Sequence, residues 1–141
     1  MQGLSFPAVT AATAGAPGIW HVLLMIHVGM GRVKFKTGLG DGDNPVLRRR
    51  IRMQGNLTEN VALFLILLAM VEFSGAWPKL VMVLGPAMVV LSMCHTFGLS
   101  MRFGSTANVF RAVGAAGTAL ALVLLSAASI IAALRHLPHF R

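Results

Sequence analysis

The chain has 141 residues, of which 56% are hydrophobic and 11% are charged, whereas roughly 25% of residues are charged in a typical soluble domain. Its 12 lysines and arginines outnumber its 4 acidic residues and give a net charge of +8. The basic residues flank long apolar runs and form no recognised nucleic-acid-binding module, so they indicate contact with lipid headgroups. This composition excludes an ordinary soluble enzyme and predicts one membrane domain over residues 1–141.

The first predicted helix covers residues 6–30. Ser5 is a candidate N-cap, and Pro7 falls in the first turn, where proline is tolerated. Small or helix-breaking residues inside it predict a kink or a close helix contact; these residues are Gly15, Pro17 and Gly18.

The second predicted helix covers residues 45–73 and follows a loop rich in glycine and aspartate. Asn44 followed by Pro45 is typical of an N-cap and a first helical position, and Ser74-Gly75 predicts the end. Its length of about 43 Å exceeds the ~30 Å hydrocarbon core of a bilayer. Its first turns, which are rich in arginine, are therefore expected outside the hydrocarbon.

Two further helices complete the chain, over residues 78–97 and 108–134. Pro86 is expected to bend the third helix, which Trp77 and Lys79 would anchor at a membrane surface. Gly114 and Gly117 offer small faces for packing of the fourth helix. The predicted fold is an all-α bundle of four transmembrane helices.

A polar stripe on helix 2 is the most informative feature of the sequence. Arg48, Arg52, Asn56 and Glu59 are spaced i, i+4, i+8 and i+11, so they share one helix face. Glu59 is followed by a long apolar run, and a carboxylate in that position is expected to face protein or water. The stripe is interpreted either as a structural ion pair, such as Arg52 with Glu59, or as a pocket for a zwitterionic ligand.

No metal site is predicted. Cys94 is the single cysteine, His21 and His27 are six residues apart and do not share a helix face, and the loop with Asp41 and Asp43 is too short for an EF-hand. Cys94 is interpreted as a packing residue, because a thiol in apolar surroundings stays protonated.

The distribution of positive charge predicts the orientation. Four spans place both termini on one side, and nine basic residues then lie on the side of the loops between helices 1 and 2 and helices 3 and 4: Arg32, Lys34, Lys36, Arg48, Arg49, Arg50, Arg52, Arg102 and Arg111. Three lie on the other side: Lys79, Arg135 and Arg141. The positive-inside rule therefore puts the polar stripe at the cytoplasmic face, with His95 and Arg111 at the same level.

The segment 51–59, with Arg52, Asn56 and Glu59 as Arg-x-x-x-Asn-x-x-Glu, resembles the signature of the MAPEG family. These are membrane-associated proteins in eicosanoid and glutathione metabolism. Gly40-Asp41-Gly42, His95-x-x-Gly98 and Arg111-x-x-Gly114 are similar to the bacterial branch of that family.

The resemblance implies a homotrimer in the bacterial inner membrane, with glutathione bound between subunits near the cytoplasmic face. It implies that Arg52, Asn56 and Glu59 contact the tripeptide, with Glu59 taking its amino group, and that Arg48 and His95 belong to the same site. It further implies that Arg111 polarises the thiol, which a cation does by favouring the thiolate. Arg32 lies near the place of a further family arginine.

The sequence departs from the family in ways that bear on catalysis. It contains no tyrosine, and His95 and Leu99 stand where eukaryotic transferases of the family carry tyrosine. Ala62 and Ser92 replace a common proline and a common arginine.

Three hypotheses follow. The first is a glutathione-binding membrane protein, of the microsomal glutathione transferase type, acting on a small lipophilic electrophile. The second is a non-catalytic scaffold of the same fold, and the third is a proton-coupled exporter with Glu59 as its proton site.

Overall fold

The computed structural model describes residues 6–101 and 108–137, and its regular elements there are four α-helices. They are α1 (Ala8–Lys34), α2 (Pro45–Ser74), α3 (Pro78–Ser100) and α4 (Val109–His136). Each is long and apolar enough to cross a membrane. The predicted all-α fold with four membrane-spanning helices is therefore confirmed, and the chain is an integral membrane protein.

Helix boundaries follow local capping signals. The side chain of Asn44 accepts hydrogen bonds from the backbone N–H groups of Val46 and Leu47, and α2 ends at Gly75 with φ +65°. Asn108 caps α4 in the same way as Asn44 caps α2. The predicted N-cap at Asn44 is thus confirmed, and the cap at Asn108 is an addition from the structure.

Helix α1 continues four residues beyond the predicted end at residue 30. Gly31 packs closely against α2, where a Cβ at Gly31 would lie 3.0 Å from Leu47 Cδ1. The helix ends only where Lys36 adopts φ +52°. Ser5, the predicted cap, lies outside the described residues, and Pro7 at the N-cap position makes no side-chain hydrogen bond.

Glu72 supplies the cap that the start of α1 lacks. Its carboxylate accepts hydrogen bonds from Val9 N at 2.9 Å, Thr10 N at 2.8 Å and Thr10 Oγ1 at 2.7 Å. A carboxylate at a helix N-terminus satisfies free N–H groups and complements the helix dipole. No sequence pattern predicted this cap, which the structure reveals.

Helix α2 is the centre of the bundle and packs against each of the other three, whereas α1 and α4 make no contact within the described residues. One face of α2 forms the core, with residues at i, i+4, i+7, i+11 and i+14 all buried: Leu57, Val61, Phe64, Leu68 and Val71. Met88 of α3 and Leu125 of α4 pack into the same core.

The glycines of α1 and α4 differ in their contacts. Cβ atoms built on Gly15 and Gly18 would meet no described atom within 4 Å, so the close contact expected there is not found within the subunit. A Cβ at Gly114 would instead lie 2.6 Å from the backbone N of His95. The prediction that Gly114 forms a packing face is confirmed.

Candidate functional site

The predicted polar stripe lies on the outer face of α2. Arg52 and Glu59 are exposed, and Asn56 is half-buried beside them. The same face continues toward the far end of α2 with exposed apolar residues at the matching positions Leu63, Ile66 and Met70. The two charged side chains therefore stand at the start of a surface that is otherwise apolar.

Two of the charged residues of this stripe, Arg52 and Glu59, find no ion-pair partner within the described part of the subunit. The salt bridges found there join Arg48 to Asp41 and to Asp43, the latter at 3.5 Å. Arg52 and Glu59 take part in neither of them and do not pair with each other. The interpretation of the stripe as an Arg52–Glu59 ion pair is therefore not supported in the described residues.

Arg48 is engaged by the loop before α2. Its guanidinium donates a hydrogen bond to the Asp41 carboxylate, and this bond is the main reason that the pKa of Asp41 lies below its ordinary value of 3.8. The backbone N–H of Asp43 adds to that effect. A ligand role for Arg48 would require this contact to open.

Arg32 is also engaged by the loop. Its Nη1 donates to the carbonyl oxygens of Gly38 at 3.3 Å and Gly40 at 2.9 Å. These contacts hold the loop against the end of α1, so Arg32 has a structural role within the subunit.

His95 and Arg111 meet where α3 crosses α4, and a pair of glycines brings them together. A Cβ at Gly98 would lie 2.5 Å from the backbone N of Arg111, just as Gly114 faces His95. The ring Nδ1 of His95 is 3.3 Å from the carbonyl oxygen of Arg111. The two motifs His95-x-x-Gly98 and Arg111-x-x-Gly114 thus form one reciprocal contact, in which each glycine accommodates the other motif's polar residue. The side chain of Arg111 is exposed.

A cavity of about 270 Å³ joins α2 to this crossing. Residues of α2, α3 and α4 line it, among them Asn56 and His95, and it is open on one side. Arg52, Glu59 and Arg111 do not line it. The structure therefore places two of the predicted site residues, Asn56 and His95, in one cavity and leaves the four charged ones, Arg48 included, on the subunit surface.

The sequence model of the MAPEG family matches residues 10–131, which include most of all four helices. The chain belongs to the MAPEG family. No curated protein gives a significant match to the sequence. The resemblance noted from the Arg52, Asn56 and Glu59 signature is confirmed by this match.

Several polar residues of this MAPEG chain line the cavity but were not predicted as site residues: Asn60, Ser92, Thr96 and Thr118. Signals in the sequence point to two of these four residues. Asn60 directly follows Glu59, and Thr118 lies at i+7 from Arg111, on the same face of an otherwise apolar helix. Neither signal identifies a shared cavity without the helix packing.

His21, His27 and Cys94 of the MAPEG chain have local surroundings that do not form a shared site: the ring of His21 and the backbone of His27 each make one contact. His21 Nδ1 is 3.2 Å from Thr58 Oγ1, and the His27 carbonyl accepts a hydrogen bond from Arg50 Nη1 at 2.9 Å. Cys94 lines a separate apolar cavity beside Trp20. Within residues 6–101 and 108–137, no group of three or more potential metal ligands is found.

Proposed function

We propose that this MAPEG protein binds glutathione at the cytoplasmic side of the membrane and transfers it to a lipophilic electrophile. Arg52, Asn56 and Glu59 bind the tripeptide, with His95 and Arg48 at its edges. Arg111 favours the thiolate. The functional unit is a homotrimer in the inner membrane, with both termini on the opposite side.

One observation carries this proposal: Arg52 and Glu59 are exposed and without an ion-pair partner in the described residues, on a face that is otherwise apolar. A charged side chain in a membrane helix is costly unless it faces protein, ligand or water. This face of α2 therefore requires a cover that is not apolar lipid.

Glutathione provides the matching charges. Its carboxylates suit the planar donor fork of an arginine, and its ammonium group suits a carboxylate such as Glu59. A second copy of the chain covers the apolar continuation of the face at Leu63, Ile66 and Met70. The homotrimer follows from the expected architecture of the family.

Arg111 supplies the chemistry in this proposal. A guanidinium beside the sulfur lowers the pKa of the bound thiol, so more of it is present as thiolate at neutral pH. The thiolate sulfur then bonds to the electrophilic carbon. In a substitution the leaving group departs with the electron pair of the broken bond, and in an addition the π bond breaks and its electron pair moves to the neighbouring atom, which takes a proton from water. The thiol proton goes to water.

Calorimetric titration of the detergent-purified protein with glutathione tests binding. We expect saturable binding that Arg52→Ala or Glu59→Gln weakens by about tenfold or more, because each change removes a charge-assisted contact. Lys79→Ala, a charge change beyond the other end of α2, serves as control and leaves the affinity unchanged. Absence of binding at millimolar glutathione would refute the proposal.

Turnover with a model electrophile then separates the transferase from a non-catalytic scaffold. A transferase forms the thioether and loses activity in Arg111→Ala while retaining glutathione affinity. Saturable binding without thioether formation would support the scaffold.

A further inference from the structure

The cavity between α2, α3 and α4 differs from a packing void, because polar side chains line much of it. Its volume of about 270 Å³ is many times the ~10–15 Å³ of accessible volume that one water molecule needs. Among residues 6–101 and 108–137, no aspartate, glutamate, lysine or arginine lines it. An occupant of this cavity therefore meets hydrogen-bonding groups and a histidine ring, without a formal counter-charge.

Part of this polar lining is already satisfied by the helices. Ser92 Oγ donates to the carbonyl of Met88 at 2.7 Å, and Thr96 Oγ1 donates to that of Ser92 at 2.8 Å. Asn60 Nδ2 donates to the carbonyl of Asn56 at 2.9 Å. These bonds use donors and leave acceptor oxygens, including Asn60 Oδ1, without a partner in the described residues.

Thr118 and Asn56 are not satisfied in this way. Thr118 is 7% exposed, yet its hydroxyl makes no hydrogen bond with any described residue, and the side-chain amide of Asn56 makes none either. The buried unpaired side-chain atoms within the described residues are Trp20 Nε1 and Ser129 Oγ, so the Thr118 hydroxyl and the Asn56 amide are not sealed off and remain accessible. Both residues line the cavity, so an occupant is the natural partner.

His95 adds an acceptor to the set. Its Nδ1 contacts the Arg111 carbonyl, which can only accept, so the proton lies on Nδ1. In the neutral ring, Nε2 then has a free lone pair. The unpaired groups around the cavity are thus an amide donor and acceptor at Asn56, a hydroxyl at Thr118 and acceptors at Asn60 and His95.

We propose that this cavity binds a small uncharged group with both hydrogen-bond donors and acceptors, such as a carboxamide, and that this group is the reactive head of the electrophile. Assigning the occupant as electrophile rests on the thiol transfer proposed above. Asn56 connects the two, because it belongs to the α2 stripe and also lines the cavity. Any hydrocarbon remainder of the electrophile lies in the bilayer.

Acrylamide is a suitable probe, because it is an uncharged amide with an electrophilic β-carbon. In the reaction, the thiolate sulfur bonds to the β-carbon, the C=C π bond breaks, and the α-carbon takes a proton from water. Propionamide has the same amide without the double bond, so it reports binding without chemistry.

The first experiment does not depend on glutathione. Thr118→Cys in a Cys94→Ala background is labelled with N-ethylmaleimide, with and without propionamide. We expect labelling to slow about threefold when propionamide is at ~2 Kd, because only the free cavity reacts. Thr13→Cys is the matched control, since Thr13 is also buried at 4% exposure but lies outside this cavity, and propionamide leaves its labelling unchanged. No labelling at residue 118, or equal labelling with propionamide, would overturn the proposal.

The second experiment measures thioether formation from glutathione and acrylamide. Thr118→Val keeps the side-chain shape and removes one hydrogen bond, so kcat/KM for acrylamide falls about fivefold while glutathione affinity stays the same. Thr13→Val, which makes the same chemical change elsewhere, leaves kcat/KM unchanged. If glutathione does not bind but propionamide still protects residue 118, the cavity site stands and the thiol function fails. If glutathione is transferred but Thr118→Val has no effect, the assignment of the cavity to the electrophile fails.

Discussion

The substitution Gly114→Ala tests whether the α3–α4 crossing depends on a missing side chain. An alanine Cβ at this position would lie 2.6 Å from the backbone N of His95 and 2.7 Å from its Cα and Cβ. These atoms belong to a packed helix, so no rotamer change relieves the overlap and one helix must move. Gly98→Ala meets the same obstacle from the other side, at the backbone of Arg111.

Two opposing effects determine how much Gly114→Ala changes the free energy of unfolding. Overpacking costs about 1–3 kcal/mol, and contact with backbone atoms places this site in the upper part of that range. Alanine gains back about 0.5–1 kcal/mol over glycine in a helix interior. We therefore expect Gly114→Ala to lower the free energy of unfolding by about 1–2 kcal/mol.

Gly29→Ala is the matched control in α1. A Cβ there meets nothing within 4 Å, so only the gain in helix propensity of about 0.5–1 kcal/mol remains and the variant is stabilised. Thermal unfolding in detergent, followed by circular dichroism, measures the effect. The apparent Tm should fall for Gly114→Ala and rise for Gly29→Ala, by about 2–4 °C per kcal/mol. A Gly114→Ala variant that melts at or above the parent would refute the close-crossing argument.

Three further substitutions test local contacts. Glu72→Gln removes the anionic cap of α1, so it should lower the free energy of unfolding by about 1 kcal/mol and speed hydrogen exchange at the start of α1. Glu59→Gln is the control, and equal exchange in both variants would contradict the cap. Arg48 lowers the pKa of Asp41 in the folded protein. The contact between them therefore stabilises the fold fully at pH values above the ordinary pKa of 3.8, and this stabilisation is lost as the pH falls through the lower pKa of the folded state. NMR titration of the Asp41 carboxyl should give a midpoint below 3.8 that Arg48→Ala raises, and an unchanged midpoint in that variant would count against the contact. Asn44→Ala removes the α2 cap and should lower the free energy of unfolding by about 1 kcal/mol, whereas Asn44→Asp keeps a capping oxygen and should retain the stability. Equal melting temperatures of the two variants would argue against capping.

The features that the sequence predicted well are those that local chemistry determines. Asn44 and Pro45 start α2 because an amide cap and a fixed φ act within one turn. Gly75 ends α2 because its positive φ suits glycine. Such signals need no knowledge of the other helices.

The features that the sequence did not predict depend on how the helices pack. Glu72 and Val9 are separated by 63 residues, so no local pattern indicates that one caps the other. Asn60 and Thr118 line one cavity only because α2, α3 and α4 pack against one another. The loop contacts of Arg48 and Arg32 were also not predictable, since positive-charge counting treats all arginines alike.

Helix α2 has one buried face and one exposed face, and Asn56 lies between them. Residues 57, 61, 64, 68 and 71 form the buried face, whereas residues 52, 59, 63, 66 and 70 form the exposed one. Asn56 is about 40° around the helix from Arg52, because four residues exceed one 3.6-residue turn. It therefore reaches both the charged stripe outside and the uncharged cavity inside.

A ligand held by the stripe and a ligand held by the cavity would then meet at this amide, so Asn56→Leu should weaken both glutathione binding and propionamide protection. Thr118→Val should affect only the second, and an Asn56→Leu variant that affects only one of them would show that the two sites are separate.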